Sequence, residues 1–540
     1  MHDTASKVRD TAIRAYRRTR ALARQYERRI RQRWRTATPQ QRQTARVTAG
    51  SAALGLAVAF TAVAATGPWD SGQRTAERSW AAAQHPGSGG NHTGDGTDGD
   101  GTAGAPQVLA ALNSDADPGS GPEADPDSKP SHGPGAAGVP PPSASALADT
   151  LEPLLKDGAL GPLRTASVVD AASGRRLYAA KPRTPASPAS TVKLATATAA
   201  LSARGTEHRI VTRAVRGDAA DEVVLVGGGD PTLSASGLSG LAAKTARTLR
   251  AQHTGKVSLG YDTSLYSGPV RHTIGPNDNL APVTPLMVDE GRSGGAPSSA
   301  GEPVHGPGPR VTDPASDAAS DFAAALEKHG VDVQDKPKQT RAPGKAKELA
   351  AHRSAPLSAL VERMLTYSDN DIAEALARQT ALASHRAASF KGAGKAVRHR
   401  LGTLGLPLAG AHFADGSGLD RADKVTPALL TRLLVRAADP DHAELRPVLT
   451  GLPVAHFTGT LGARYGGEEG AQGAGLVRAK TGTLTGVNTL AGTVVDADGR
   501  LLVFAFMTTG TTDGNAAQHS LDRLAAALAN CGCRDSPSSD

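Results

Sequence analysis

The sequence predicts a mixed α+β fold that begins near Ala146 and runs almost to the C-terminus. Two patterns carry this reading. Apolar residues recur with helical period at 147–155, 313–330, 357–376 and 516–528. Between these segments lie short β-like runs: T-A-S-V-V-D and R-R-L-Y-A-A, then R-I-V-T-R-A-V and E-V-V-L-V, and near the end L-L-V-F-A-F-M. A third observation bounds the fold from the other side. Of the 60 residues 86–145, 13 are Gly and 10 are Pro, and none is aromatic. Such a stretch cannot bury enough apolar surface to offset the entropy of ordering it. It reads as a flexible tether, the larger part of a linker at 68–145.

The chain has 540 residues, more than one ordinary domain needs. Its net charge of +8 is unevenly placed: residues 1–46 hold 14 Lys/Arg against 3 Asp/Glu, and the remainder holds 46 against 49. The high pI therefore belongs to a tail and says nothing about the partners of the folded part. In that tail Tyr16, Ala23, Tyr26 and Ile30 share one face of a basic, partly amphipathic helix. Residues 47–67 follow as an uncharged run of 21, long enough to cross a bilayer, with Trp69 at the far edge. Basic residues crowd its N-terminal side, which orients 1–46 to the cytoplasm and the rest outside. The arginines then lie against anionic headgroups. A cleaved signal peptide, using the small residues Ala62-Val63-Ala64, is the rival to this transmembrane helix. A nucleic-acid arm is the weaker account of the tail, which abuts an apolar span.

Only two cysteines occur, Cys531 and Cys533, so no disulfide framework holds the fold. A C-x-C ring is tight, and the pair stays open between a local bridge and two thiols. The 16 histidines are scattered, and no cluster of His, Cys and carboxylates has metal-ligand spacing. No metal or other cofactor is expected.

The chemistry centres on residues 185–201, P-A-S-P-A-S-T-V-K-L-A-T-A-T-A-A-L. Ser190 and Lys193 are three positions apart, so a helix stacks the hydroxyl and the amine on one face. Ser187 is the expected cap, and Pro188 suits the first helical position. Ser190 then falls in the first turn, its backbone N–H without an intrahelical partner, at the positive end of the helix dipole. One residue offers a nucleophile and an electrophile-stabilising donor. A partly desolvated lysine beside it sheds its charge and serves as base.

S-x-x-K by itself occurs by chance in a chain of this length. Two further motifs give it weight. Ser368-Asp369-Asn370 lies in the second helical region, after Leu365-Thr366-Tyr367, and a strand within 475–494 carries Lys480-Thr481-Gly482-Thr483. Gly482 makes sense where a substrate backbone must approach a strand edge, and the lysine and threonine offer a cation and a hydroxyl to a carboxylate. By contrast, Gly227-Gly228-Gly229-Asp230-Pro231 lacks the spacing and lysine of a phosphate loop and reads as a tight turn. Residues 291–309 read as another loop.

S-x-x-K, S-D-N and K-T-G in this order are the signature of penicillin-binding proteins and serine β-lactamases. The connecting segments V-G-G-G-D-P-T-L, Y-D-T-S-L-Y-S-G-P, A-P-V-T-P-L-M-V-D-E-G, A-D-G-S-G-L-D and F-T-G-T-L resemble the class C low-molecular-mass penicillin-binding proteins, the D-alanyl-D-alanine carboxypeptidase/endopeptidase family. The resemblance covers roughly residues 146–533. It implies a β-lactamase/transpeptidase-like serine DD-peptidase domain made from 146–205 and 346–533, an inserted domain at 206–345, and a tail at 534–540. The 178 positions between Ser190 and Ser368 leave room for the insertion. The loop-rich 291–309 suggests that the further nested domain often found in the family is small or missing.

The resemblance also implies roles. Ser190 attacks the carbonyl between two D-alanines while Lys193 takes its proton. Ser368 relays a proton to the leaving amine, and Asn370 holds the substrate amide and the lysine. Lys480 supports the electrostatics, and Thr481 and Thr483, with Gly482 between them, receive the terminal carboxylate. The backbone N–H groups of Ser190 and Thr483 form the oxyanion hole. The implied partners are peptidoglycan stem peptides ending in D-Ala-D-Ala, with β-lactams as covalent inhibitors.

Two alternatives share the motifs. A non-catalytic wall-binding protein is disfavoured because all three motifs are intact. Class A β-lactamases place their deacylating water with a glutamate and an asparagine between S-D-N and K-T-G. This chain has no asparagine between Asn370 and Lys480, and Glu374, Glu444, Glu468 and Glu469 have no such partner nearby in sequence. The expectation is a long-lived penicillin adduct beside turnover of D-alanyl-D-alanine peptides.

Overall fold

The computed structural model describes residues 140–293, 304–467 and 470–532, which fall within one unit, Asp125–Asp540. The basic tail, the apolar run 47–67, the linker up to residue 139 and Cys533 lie outside the described residues. Among the described residues, no helix is long and apolar enough to cross a membrane.

Helix α1 (Ala144–Leu155) is capped by the Ser143 hydroxyl, which accepts from Ala146 N. It leads into the antiparallel pair β1 (Leu163–Asp170) and β2 (Arg176–Ala180). A tight turn at Ala189–Val192 opens α2 (Lys193–Arg204). The chain then builds β3 (Val211–Arg216), β4 (Glu222–Val226), α3 (Ala235–Ala251), β5 (Lys256–Asp262), α4 (Pro314–Lys328), β6 (Asp332–Gln339) and β7 (Glu348–Arg353). Next come α5 (Leu357–Tyr367), α6 (Asn370–Ala383), α7 (Phe390–Thr403), α8 (Pro427–Ala438) and the single turn α9 (Pro447–Thr450). Strands β8 (Val477–Leu484), β9 (Val487–Val495) and β10 (Leu501–Thr509) precede the last helix, α10 (Gly514–Ala529).

The first sheet has the order β2-β1-β10-β9-β8 and is antiparallel throughout, so the N- and C-terminal parts of the fold meet in it. Its central strand alternates with period two. Leu502, Phe504 and Phe506 face Leu521 and Leu524 of α10 and Leu147 and Leu151 of α1. Val503, Ala505 and Met507 face the other way, in one core with α2, α5, α6, α7 and α8. Helix α2 is buried at every position from Lys193 to Leu201, which is why its apolar positions are mostly alanine: only small side chains let helices pack on all its sides.

The second sheet, β6-β5-β4-β3-β7, is built from the segment between the first two motifs and has its own core with α3 and α4. Strand β4 is parallel to β5, and β5 to β6, with α3 and α4 as the crossovers. Strand β6, D-V-Q-D-K-P-K-Q, is too polar to be read as a strand, and it lies on the edge, where Pro337 need not donate to a neighbour. Strand β7 pairs with β3 although it lies beyond residue 345.

Two local expectations change. The pattern 357–376 suggests one helix, but the chain breaks at Ser368, whose φ of 59° is left-handed. Asp369 then caps the new helix, accepting from Ile372 N at 2.9 Å. Apolar periodicity survives such a break, so it does not reveal it. Ser187 does not cap the nucleophile helix: its hydroxyl is buried without a partner, and the helix is entered through the turn at Ala189–Val192 with no side-chain cap. Cys531 is disulfide-bonded, which closes the thiol alternative left open by the sequence.

Candidate active site

Ser190 stands in the tight turn that opens α2, next to Ala189, whose φ of 46° is a strained value for a residue with a Cβ. Gly418 makes that turn possible: a Cβ there meets the Ala189 carbonyl oxygen at 2.0 Å. Lys193, the first residue of α2, is fully buried. Its Nζ lies 2.9 Å from Ser190 Oγ, 2.7 Å from Asn370 Oδ1 and 2.6 Å from Ser417 O. Burial pulls the amine down to about 8, against the pull of Asp415, Asp369, Glu374 and Asp423. A neutral amine keeps two N–H donors, and two of its neighbours, Asn370 Oδ1 and Ser417 O, can only accept. The lone pair is left for the serine.

Asn370 begins α6 and is held on its other side, its Nδ2 donating to Asn279 O at 3.0 Å. Ser368 sits half-buried at the left-handed end of α5; among the described residues its hydroxyl joins none of these hydrogen bonds. The S-D-N turn is braced by ion pairs. Glu290 accepts from Arg363 and from Arg292, and Asp371 accepts from Arg310 at 3.0 Å and from Ala281 N at 2.9 Å. Burial and the adjacent Asp369 push Glu290 up.

The third motif lies on β8, the edge strand of the first sheet. Lys480 is fully buried and donates to Thr481 O at 2.8 Å. Burial, then Lys193 and Arg464, hold its amine well below the usual lysine range. Thr481 Oγ1 is 2.9 Å from Thr460 Oγ1, and Thr483 is exposed, opposite Asn488 in the β8–β9 register. At Gly482 a Cβ meets Thr489 Oγ1 at 2.2 Å, Pro188 O at 2.6 Å and Ser190 N at 3.1 Å, so the strand touches the nucleophile turn through glycine. Ser190, Lys193, Asn370 and the K-T-G strand are thus contiguous.

The loop A-D-G-S-G-L-D at 414–420, noted in sequence only for its resemblance, supplies the Ser417 carbonyl to Lys193 and the Gly416 carbonyl to Thr196 at 2.7 Å. Glu374 Oε1 accepts from Gly416 N and Ser417 N, at 2.9 and 3.0 Å, and its Oε2 pairs with Arg378 at 2.9 Å. Both oxygens are occupied, which leaves this glutamate unsuited to activating water. Two acidic groups, His272–Glu374–Asp415 and Glu290–Asp369–Asp371, come within reach of a common ion although the sequence gave no ligand spacing. Backbone N–H groups donate to Asp415 in the first group, and arginines pair with Glu290 and Asp371 in the second.

A five-stranded antiparallel sheet between two layers of helices, with S-x-x-K at its front and K-T-G on its edge, is the fold of the penicillin-binding class. A crystal structure of penicillin-binding protein 4 from Haemophilus influenzae superimposes with a TM-score of 0.57 at 24% identity, over 70% of this chain and 97% of that one. The chain belongs to the D-Ala-D-Ala carboxypeptidase 3 (S13) family, whose sequence profile matches residues 147–305 and 294–530. It is 36% identical to a carboxypeptidase of Mycobacterium tuberculosis over 73% of this chain and 85% of that protein. Carboxypeptidase DacB of Mycolicibacterium smegmatis is 35% identical, over 73% and 86% respectively. A D-alanyl-D-alanine carboxypeptidase of Actinomadura is 28% identical over 72% and 86%.

Proposed function

We infer that Ser190 is the acyl carrier of this serine-type D-Ala-D-Ala carboxypeptidase and that Lys193 is its base. The observation that carries this reading is the trio of contacts around Lys193 Nζ, which leaves its lone pair for Ser190 Oγ. As the Oγ–H proton passes to Nζ, Oγ bonds to the carbonyl carbon of the penultimate D-alanine of a peptidoglycan stem peptide. The backbone N–H groups of Ser190 and Thr483 receive the oxyanion. The C–N bond breaks, the amine takes a proton by way of Ser368, and D-alanine leaves. Water then hydrolyses the ester. Asn370 orients the lysine and the substrate amide, Lys480 supports the electrostatics of the site through its N–H donors, and Thr481, Gly482 and Thr483 seat the terminal carboxylate.

β-Lactams acylate the same serine, and with Glu374 fully engaged their adduct persists. Ser190→Ala should lose covalent labelling by penicillin and slow D-alanine release by on the order of 10⁴-fold or more. Labelling that persists on another serine would end the assignment.

The reading extends to location. The uncharged run 47–67 behind a tail of 14 basic residues supports a single-pass anchor with the catalytic part outside the cell membrane. The intact protein should fractionate with membranes, and protease added outside cells should digest the catalytic part and spare the tail. A soluble mature chain beginning near Ala65 would mean a cleaved leader.

A further inference from the structure

Two acceptors, Asn370 Oδ1 and Ser417 O, decide where the lone pair of neutral Lys193 points. The Ser417 peptide is itself gripped from behind. Asp415 Oδ1 accepts from Ser417 N at 3.0 Å and Gly418 N at 2.6 Å, and Oδ2 accepts from Asp420 N at 2.8 Å and the Ser417 hydroxyl at 3.1 Å. One further donor reaches Asp415 from a distant part of the chain. His272, on the connection between β5 and α4, places Nε2 2.9 Å from Asp415 Oδ2, with the two side chains 3% and 0% exposed.

The tautomer follows from the other ring nitrogen. Nδ1 lies 3.2 Å from Ile274 N, a group that can only donate, so Nδ1 accepts and Nε2 carries the hydrogen to Asp415. The ring is fixed edge-on against Phe390 at 5.2 Å. The same connection touches the site again, through Asn279 O to Asn370 and through Ala281 N and Arg310 to Asp371.

We propose that His272 is a positioning residue for the general base: by its hydrogen bond to Asp415 it fixes the Ser417 carbonyl and so aims Lys193 at Ser190. The proposal rests on Lys193 being that base. It gives the segment inserted between the first two motifs a part in the chemistry.

The titratable groups facing Lys193 are Asp415, Asp369, Glu374, Asp423 and Lys480. Those facing His272 are Asp415, Glu374 and Asp420, with Arg378 over the ring of Phe390 and paired to Glu374. A donor on Asp415 draws off part of its negative charge. Without that donor Asp415 holds the ammonium form of Lys193 more strongly, and the amine needs a higher pH to release its proton.

The test uses the full-length protein and the two amides that mimic one ring nitrogen each. His272→Gln presents an N–H where Nε2 stands and reaches Asp415. His272→Asn presents an acceptor where Nδ1 stands, keeps Ile274 N satisfied and falls short of Asp415. Penicillin acylation rates are measured against pH, with thermal melting alongside. Expected is a His272→Gln rate within about threefold of the parent and an unmoved profile. His272→Asn should be slower by roughly 10–100-fold, with its rising limb moved to higher pH. Two parent-like variants, two equally slow ones, or the reverse order would overturn the proposal. If either variant fails to fold, His272→Ser with imidazole in the buffer replaces it. Recovery of the rate with imidazole supports the proposal, and no recovery refutes it. A parent-like rate in Lys193→Ala would remove the base assignment itself, which separates that failure from this one.

Discussion

Replacing Gly482 by alanine tests the contact on which the site's assembly depends. The added carbon would sit 2.6 Å from the Pro188 carbonyl oxygen, 2.2 Å from Thr489 Oγ1 and 3.1 Å from Ser190 N. A methyl group needs roughly 3.4 Å from a carbonyl oxygen, so β8 and the nucleophile turn must part by about 0.8 Å. Neither neighbour can simply swing aside. Pro188 O is backbone, and Thr489 Oγ1 is tied to that same oxygen at 2.8 Å. Overpacking of this kind costs about 1–3 kcal/mol of stability, which a fold with an extensive core survives. The catalytic cost is larger in proportion, because a displacement near 1 Å between reacting groups is worth about 100-fold in rate. Gly482→Ala should therefore melt a few degrees lower while its acylation by fluorescent penicillin slows by roughly 30–300-fold. An acylation rate equal to the parent's in a folded variant would refute the argument that β8 must touch the Ser190 turn through glycine.

Acylation by penicillin should rise with pH and level off above about 8, because Lys193, pulled down to about 8 mainly by burial, acts when neutral. Lys193→Arg stays charged at every accessible pH, so stopped-flow traces should show a flat profile at a rate lower by ~10³ or more. On the far side of the first sheet, Arg500 donates to both oxygens of Asp170, from Nε at 2.6 Å and NH2 at 2.9 Å. Burial raises Asp170, but the hydrogen bonds from Arg500 and Ser173 outweigh it and hold the carboxyl down at about 2. A depressed acid adds stability at pH values above its unfolded 3.8 and loses it as the pH falls through about 2, so the parent's melting temperature should drop more steeply there than that of Asp170→Asn. Arg500→Met, which strands a buried carboxylate, should cost on the order of 3 kcal/mol in urea unfolding.

Much of the site is legible in the sequence. Ser190 and Lys193 share a helix face because three-residue spacing requires it, and Lys480-Thr481-Gly482-Thr483 reads as a strand because β9 and β10 follow with strand-forming side chains. Strand β4 runs over the same residues as its apolar run, E-V-V-L-V. These are local properties, written in side-chain type and period. Several contacts that orient Lys193 are of another kind. The Ser417 and Asn279 carbonyls act as acceptors through backbone atoms that every residue has, so residue type carries no trace of the role. Thr460 meets Thr481, and His272 meets Asp415, across long stretches of chain. The break at Ser368 and the uncapped entry at Ser187 are likewise outcomes of packing that override local preference. The sequence by itself singled out Ser190, Lys193, Asn370 and the K-T-G strand, which the structure brings together, and most of the elements that bear them. Only the tertiary structure decided where the lone pair of Lys193 points, because that direction is set by acceptors on separate elements, which only packing of the core brings within hydrogen-bond distance of one amine.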